Sequence, residues 1–318
     1  MAIDPSRNWT RRALIGGAAA AASFGVAGFL VYRQFQSFWR QYFREMRVPI
    51  MPAPSSPKIA AWPGRGLHAA WLGHSTVLIQ VDGFTILTDP VFSHRAGIDL
   101  KLLTLGLKRR VAPAIEIGKL PPVDLILVSH AHMDHLDTPS LRSLESRKTN
   151  VVMAPSTSDL IRSGRYGKVT ELAWGEKVRT GAAEVKALAV NHWGARMRTD
   201  TYRGYNGYLI EIAGKRILFG GDTAITDSFR DLKTMRGIDL AIMPIGAYNP
   251  WIRFHCTPEQ AWRMANDAGA EYIMPVHHKT FALGREPVDE PIERFLNAAG
   301  SRPSRVVTRA VGEEFHLS

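Results

Sequence analysis

From residue 67 to residue 276 the chain alternates short apolar runs with polar, turn-rich breaks. Runs over 68–72, 75–81, 84–88, 124–129, 150–154, 184–190, 207–213, 215–220, 238–244 and 271–276 have strand length, and unbroken apolar character at that length marks buried strands. Helices are predicted over 139–146, 156–163, 227–235 and 258–268. Closely spaced, hairpin-like strands interleaved with helices imply two sheets with helices outside them, an α/β architecture.

Ahead of that pattern lies a different one. Residues 13–32, ALIGGAAAAASFGVAGFLVY, carry no charge and at about 1.5 Å per residue reach about 30 Å, the hydrocarbon thickness of a bilayer. They read as an uncleaved signal-anchor, since Phe29, Leu30 and Val31 continue past the small-residue cleavage sites. A removed signal peptide is the competing reading, because Thr10-Arg11-Arg12 resembles a twin-arginine export signal. In residues 33–47, Phe35, Phe38, Trp39, Tyr42 and Phe43 recur at helical spacing among arginines, as in a helix lying in the headgroup region or packing its stripe on a domain. Residues 48–66 carry Pro49, Pro52, Pro54, Pro57 and Pro63 and read as a stiff linker. The expected organisation is a basic tail (1–12), a single membrane helix (13–32), an amphipathic helix and linker (33–66) and one folded domain (67–318). The expected location is a membrane of the bacterial inner-membrane type, with the face left open by arginines on both flanks.

Charge narrows the partners. Forty Lys and Arg against twenty-nine Asp and Glu give +11, which favours phosphate esters, an acidic membrane surface or nucleic acid. The single cysteine, Cys256, excludes an intrachain disulfide framework and any multi-cysteine metal site. Metal ligands must come from His and acidic residues.

They are found in VSHAHMDHLD, residues 128–137, where His130, His132, Asp134 and His135 fall within six positions. Imidazoles and carboxylates bind Zn²⁺ and similar divalent ions. If the strand stays extended to 132, His130 and His132 share a face. A helix capped by Asp137 or Thr138, with Pro139 at its first position, then forces a turn at 133–136 that swings Asp134 and His135 towards a second centre. Other strands end in candidate ligands: His192 after 184–190, Asp222 after Gly220 and Gly221, and His277 beside His278. His255 stands just ahead of Thr257-Pro258-Glu259-Gln260, a capping-box spacing at a helix start that favours an anion. Asp89 is read as orienting a metal ligand, and His74 as structural.

HAHMDH, the lone His192, GGDT and the late His277 resemble the metallo-β-lactamase superfamily, whose fold is a four-layer αββα sandwich with one or two metals. WLGHSTVLIQ (71–80), LTDPVFSHRA (87–96), LPPVDLILVSHAHMDHLD (120–137), NHW (191–193) and HCTPEQA (255–261) resemble its N-acylphosphatidylethanolamine-hydrolysing phospholipase D branch, and more weakly the L-ascorbate-6-phosphate lactonases. The resemblance implies one cation on His130, His132 and His192, another on Asp134, His135 and His277, and Asp222 with a hydroxide bridging both. Two Zn²⁺ are expected, Mn and Fe also suiting the donors. The branch has its ligand four residues before a Phe, which selects His277; His278 and Lys279 stand where it often has Trp-Gly.

Two divalent ions less Asp134, Asp222 and hydroxide leave one positive charge, suited to a phosphodiester. The implied function is therefore a zinc phosphodiesterase of phospholipase D type acting on a membrane phospholipid, with Asp134, Asp222 and His255 in catalytic roles and hydroxide attacking phosphorus in line. Leucines followed by Lys108, Arg109 and Arg110 in segment 97–110 read either as a loop covering the core or as a segment that dips into lipid while its charges meet headgroups, and together with the stretch at 13–32 they favour a lipid substrate. Alternatives are hydrolysis of a soluble lactone or phosphate ester and a non-catalytic metal-binding membrane scaffold. No nucleic acid is expected, for lack of a stacking-aromatic array, and a homodimer is compatible.

Overall fold

The computed structural model describes Gln36, Arg40, Phe43 and residues 47–101, 104–233 and 236–318. The predicted membrane helix at 13–32 and most of the aromatic stretch lie outside these residues; Gln36, Arg40, Phe43 and Arg47 are helical. Among the described residues no helix is long and apolar enough to cross a membrane.

One compact unit runs from Ile50 to Ser318. It begins earlier than the proline content suggests, because the stretch read as a linker lies along the domain. Met51 pairs with the backbone on both sides of Val111 (Met51 N to Arg110 O 2.8 Å, Ala112 N to Met51 O 2.8 Å), Ser56 Oγ donates to Ala114 O at 3.1 Å, and Trp62 is buried.

The strands are β1 (Leu67–Gly73), β2 (Thr76–Val81), β3 (Phe84–Thr88), β4 (Arg95–Asp99), β5 (Thr104–Lys108), β6 (Leu125–Val128), β7 (Asn150–Met153), β8 (Val169–Glu171), β9 (Lys177–Thr180), β10 (Ala183–Leu188), β11 (Gly207–Ile212), β12 (Lys215–Phe219), β13 (Ile238–Pro244), β14 (Ala270–Val276) and β15 (Glu314–Leu317). They form a seven-stranded sheet, β15-β1-β2-β3-β6-β7-β8, a six-stranded sheet, β14-β13-β12-β11-β10-β9, and a ribbon, β4-β5. Strand alternation assigns each face of the six-stranded sheet to a different core. Ile217, Phe219, Leu240 and Ile242 join the apolar cluster that also holds Leu127 and Val152 of the other sheet. Leu218, Ala241 and Met243 join a second cluster with Trp262, Ala265, Ile292 and Phe295 from the helices Pro258–Asp267 and Glu290–Ala299. The order sheet, sheet, helices follows, which gives three of the four layers of the expected αββα sandwich.

Direction explains where function can sit. β3, β6 and β7 pair in parallel, and β1 shares their direction through the antiparallel β2. β12, β13 and β14 are parallel, and β10 shares theirs through β11. The carboxyl ends of each set therefore lie along one edge of their sheet. Tyr208 Oη donates to Val128 O at 2.8 Å and Asn206 N to Ser129 O at 2.9 Å, which brings the two edges together.

Two predicted helices are absent. Over 156–163 only the 3-10 turns Ser158–Leu160 and Ser163–Arg165 form, because the backbone is left-handed at Ser156 (φ 57) and extended at Ile161 between the two turns. Over 227–235 the described part is a 3-10 turn, Arg230–Lys233. Segment 97–110 is the β4-β5 ribbon, and Arg109 does not reach outward. It is 1% exposed, donating to Val91 O and Ser93 O with its guanidinium 5.0 Å from the Phe281 ring.

Candidate metal centre

Apart from His255, which stands just ahead of the helix Pro258–Asp267, each chemistry-bearing side chain leaves a strand at its carboxyl end: His74 after β1, Asp89 after β3, His130 to His135 after β6, His192 after β10, Asp222 after β12 and His277 after β14. The local backbone serves this convergence. Gly221 adopts φ +58, and a Cβ there would stand 2.5 Å from Asn206 O, so the turn that presents Asp222 requires glycine. His277 itself sits at φ 62, which separates it from His278; the latter packs on Trp71 with ring centroids 4.6 Å apart. His278 is thus taken up by packing on Trp71 and stays out of the cluster that His277 joins.

All seven residues expected to bind metal come together. His130 Nε2 and His132 Nδ1 are 2.8 Å apart and His192 Nε2 is 3.2 Å from His132 Nδ1. Asp134 Oδ2 stands 3.5 Å from His135 Nε2 and 3.6 Å from His277 Nε2. Asp222 Oδ2 lies between the groups, 3.1 Å from His135 Nε2, 3.0 Å from His277 Nε2 and 3.8 Å from His192 Nε2. His255 joins them with Nδ1 3.8 Å from Asp222 Oδ2.

The outer nitrogens are held elsewhere, which turns the inner ones towards the centre. His135 Nδ1 contacts Asp89 Oδ2 at 2.6 Å, His130 Nδ1 contacts Ser129 Oγ at 2.9 Å, and His192 Nδ1 donates to Phe254 O at 2.9 Å. Asp89, expected to orient a ligand, does so for His135.

These residues fit divalent cations on a direct test. His135 Nε2, His277 Nε2, His255 Nδ1 and Asp222 Oδ1 are buried yet make no hydrogen bond, even where nitrogen and oxygen are 3.0 Å apart. Buried polar atoms are rarely left so. Buried nitrogen and oxygen donors converging in this way are what a cation fills. Charge agrees: burial disfavours ionised Asp222 and Asp134, but the neighbouring imidazoles outweigh it and hold both carboxyls well below the usual range. In return burial opposes protonation of His135 and His277, yet Asp222 and Asp134 raise His135 well above the ordinary value and His277 to about 9. The pocket calls for positive charge where those nitrogens meet. Burial pushes His132 and His255 down to about 4, and His130 and His192 well down, keeping them neutral as ligands must be. Nitrogen and carboxylate donors without thiolate suit Zn²⁺, Mn²⁺ or Fe²⁺ alike.

Two participants were not legible from the motifs. His74, read as structural, donates from Nε2 to Asp134 Oδ2 at 2.9 Å. Arg196, four residues after His192, donates from Nη1 to Ala131 O (2.9 Å) and Leu136 O (2.8 Å), bracing the loop of His132 and Asp134. A single histidine in a turn and a single arginine in a loop carry no spacing signal.

A groove of about 360 Å³ opens onto His132, Asp134, Asp222 and His255. Leu107, Met133, Trp193, Trp251 and Leu283 give it apolar walls, and Arg196 contributes a cation.

Comparison with known proteins agrees with this geometry. A family model described as a beta-lactamase superfamily domain matches residues 85–278. An uncharacterised protein of Mycobacterium tuberculosis is 33% identical over 79% of this chain and 69% of its own length. The N-acyl-phosphatidylethanolamine-hydrolyzing phospholipase D 1 of Caenorhabditis elegans is 30% identical over 80% of this chain and 76% of its own. The crystal structure of a possible metal-dependent hydrolase from Veillonella parvula superposes with a TM-score of 0.63 at 17% identity, over 79% of this chain and all of that one, and so supports the fold alone. With more than half its length under the family model and its His/Asp cluster assembled at the joined sheet edges, this chain belongs to the metallo-β-lactamase superfamily of metal-dependent hydrolases.

Proposed function

We propose that the chain is a phosphodiesterase of phospholipase D type that hydrolyses N-acylphosphatidylethanolamine-like membrane phospholipids. The observation that carries this reading is the pairing of apolar walls with a cationic arginine in the groove that opens onto the His/Asp cluster. A lipid phosphodiester has that duality: acyl chains for Leu107, Met133, Trp193 and Trp251, and one negative charge for Arg196. Among the described residues nothing engages Nε or Nη2 of Arg196, and the bonds from Nη1 hold the guanidinium in one orientation.

His130, His132 and His192 would hold one cation, Asp134, His135 and His277 another, with Asp222 between them. Bound divalent ions lower the pKa of a coordinated water towards neutrality and stabilise charge on phosphoryl oxygens. The chain's own groups do the rest. Asp89 keeps the His135 ring in one orientation through Nδ1. His255, neutral and facing the groove, can donate a hydrogen bond to a phosphoryl or leaving oxygen without adding charge. Trp193 packs 4.5 Å from His132 and 4.4 Å from Phe254, which limits water at the cluster's apolar side. In the overall reaction one water oxygen bonds to phosphorus, the bond to the N-acylethanolamine oxygen breaks, and that oxygen takes a proton. The net charge of +11 and the uncharged stretch at 13–32 support membrane attachment of the same kind.

The test is to incubate metal-replete protein with N-acylphosphatidylethanolamine vesicles, glycerophosphodiesters and a lactone panel, with and without chelator, and to identify products by mass. Chelator-sensitive release of phosphatidic acid and N-acylethanolamine is expected. Turnover of lactones alone would replace the lipid reading with a soluble-ester one.

A further inference from the structure

We infer that His74 is a positioning residue of the second cation pocket, fixing Asp134 through its ring and the His277 loop through its backbone. The inference rests on the two-cation reading of the site and is independent of the substrate.

His74 occupies the turn between β1 and β2 at φ 52, a left-handed conformation that costs a histidine roughly 1 kcal/mol. The turn's hydrogen bonds show what that conformation achieves. His74 N donates to Thr280 Oγ1 at 2.8 Å. His74 O accepts from His277 N at 3.0 Å and from Trp71 Nε1 at 2.7 Å. The ring, fully buried, lies 4.2 Å from the His277 ring and 5.1 Å from that of Phe281. One residue therefore grips the segment 277–281 by two hydrogen bonds and two ring contacts.

Its side chain reaches in the other direction. Nε2 meets Asp134 Oδ2 at 2.9 Å, 60 residues along the chain, and Nδ1 has no hydrogen-bond partner among the described residues. A histidine kept for packing alone would be expected to satisfy both ring nitrogens or to be replaced by an apolar ring. Here the one hydrogen bond made is to a carboxylate oxygen that itself stands 3.5 Å and 3.6 Å from the inner nitrogens of His135 and His277. A carboxylate without that donor could rotate its oxygens away from the two imidazoles. Asp89 holds His135 from outside in the same manner. The two devices orient adjacent residues of one loop, one acting on the imidazole and one on the carboxylate. His74 stands with Asp134, His135 and His277 in one group of potential ligand atoms, and because its Nε2 hydrogen-bonds Asp134 Oδ2 it is assigned to act through that carboxylate.

The experiment is a titration of metal-stripped protein with Co²⁺, read by the visible absorbance of each binding step, in the wild type and in His74→Asn, His74→Leu and His74→Gln. Asparagine tolerates the left-handed backbone but is too short to reach Asp134, whereas the glutamine amide can reach and donate. Loss of a partner behind a ligand typically weakens metal binding about 10–100-fold. The expected result is a loss of that size confined to the second step in the Asn and Leu variants, with the first step unchanged and most of the loss recovered in His74→Gln. Unchanged affinity in the Asn and Leu variants, equal weakening of both steps, or a glutamine variant as weak as leucine would overturn the inference alone. A wild type that binds fewer than two Co²⁺ would overturn the two-cation reading and this inference with it.

Discussion

Asp222 is the residue on which both halves of the site depend, because its Oδ2 lies within 3.8 Å of nitrogens from His135, His192, His255 and His277. Asp222→Ala removes the only carboxylate that, among the described residues, contacts imidazoles of both groups, and leaves those imidazoles facing one another. Hydrolysis should fall at least about 100-fold and bound metal should drop to one ion or none, measured by elemental analysis alongside turnover. Protonation gives a second test at this scale. Burial holds His74 down to about 3 and His255 to about 4, so both stay neutral in the fold while the unfolded chain takes up their protons near 6.5. Between those values the unfolded state binds more protons, so stability rises with pH. It is fully present above about 6.5 and is lost as pH falls towards 4, at up to about 1.4 kcal/mol per pH unit for each histidine. His277 has the opposite sign: raised to about 9, its contribution is complete below 6.5 and is lost as pH rises to 9. Urea unfolding of metal-stripped protein should therefore show maximal stability near neutrality, declining on both sides; a monotonic profile would contradict these assignments.

Among the elements, the helix Pro258–Asp267 matters most to chemistry, since it follows directly on His255. Thr257 and Gln260 make both bonds of a capping box, 3.0 Å and 3.3 Å long, as their spacing implies. Thr257→Ala should cost about 1 kcal/mol in urea unfolding. The β4-β5 ribbon supplies Ala96 and Leu107 to the groove, and its two strands meet at Gly97 and Gly106. A Cβ on Gly106 would stand 2.0 Å from Ala96 O, so Gly106→Val must spread the ribbon. KM for lipid should rise severalfold with metal content unchanged, a split that separates groove from cluster. That glycine pair also explains why the segment reads as a loop: strands whose contact depends on missing side chains offer no β-branched pattern to recognise. The core strands are legible for the converse reason. β3 and β13 fall where the apolar runs at 84–88 and 238–244 lie, since burial on both faces leaves a continuous signal. Segment 156–163 misleads because the breaks in it, a left-handed Ser156 and an extended Ile161, fall on residues that carry no turn signal as strong as glycine or proline. At the site, His130 to His135 announce themselves by spacing and Asp222 by its glycines. His74 shows its role only when the turn after β1 meets the loop after β6.

For the whole domain, the cluster is a seam. His130, His132, Asp134 and His135 follow a strand of the seven-stranded sheet, whereas His192, Asp222 and His277 follow strands of the six-stranded one. Cations held by both sets would link the sheets at the edge where like-charged carboxylates and unpartnered imidazoles otherwise meet. Any ligand that binds only the folded state stabilises it by RT ln(1 + [L]/Kd), about 2.7 kcal/mol at a hundredfold excess over Kd. Metal binding should therefore raise the melting temperature by several degrees and chelation reverse it. Hydrogen exchange locates the effect further. If the ions join the sheets, protection should fall on chelation at the carboxyl ends of β6, β10, β12 and β14 together, while the far ends of the same strands, such as the β11-β12 turn at Ala213 and Gly214, exchange as before. Protection lost only in the 130–136 loop would mean that the cations order one loop, and that the apolar cluster between Leu127, Val152, Phe219 and Ile242 holds the sheets together unaided.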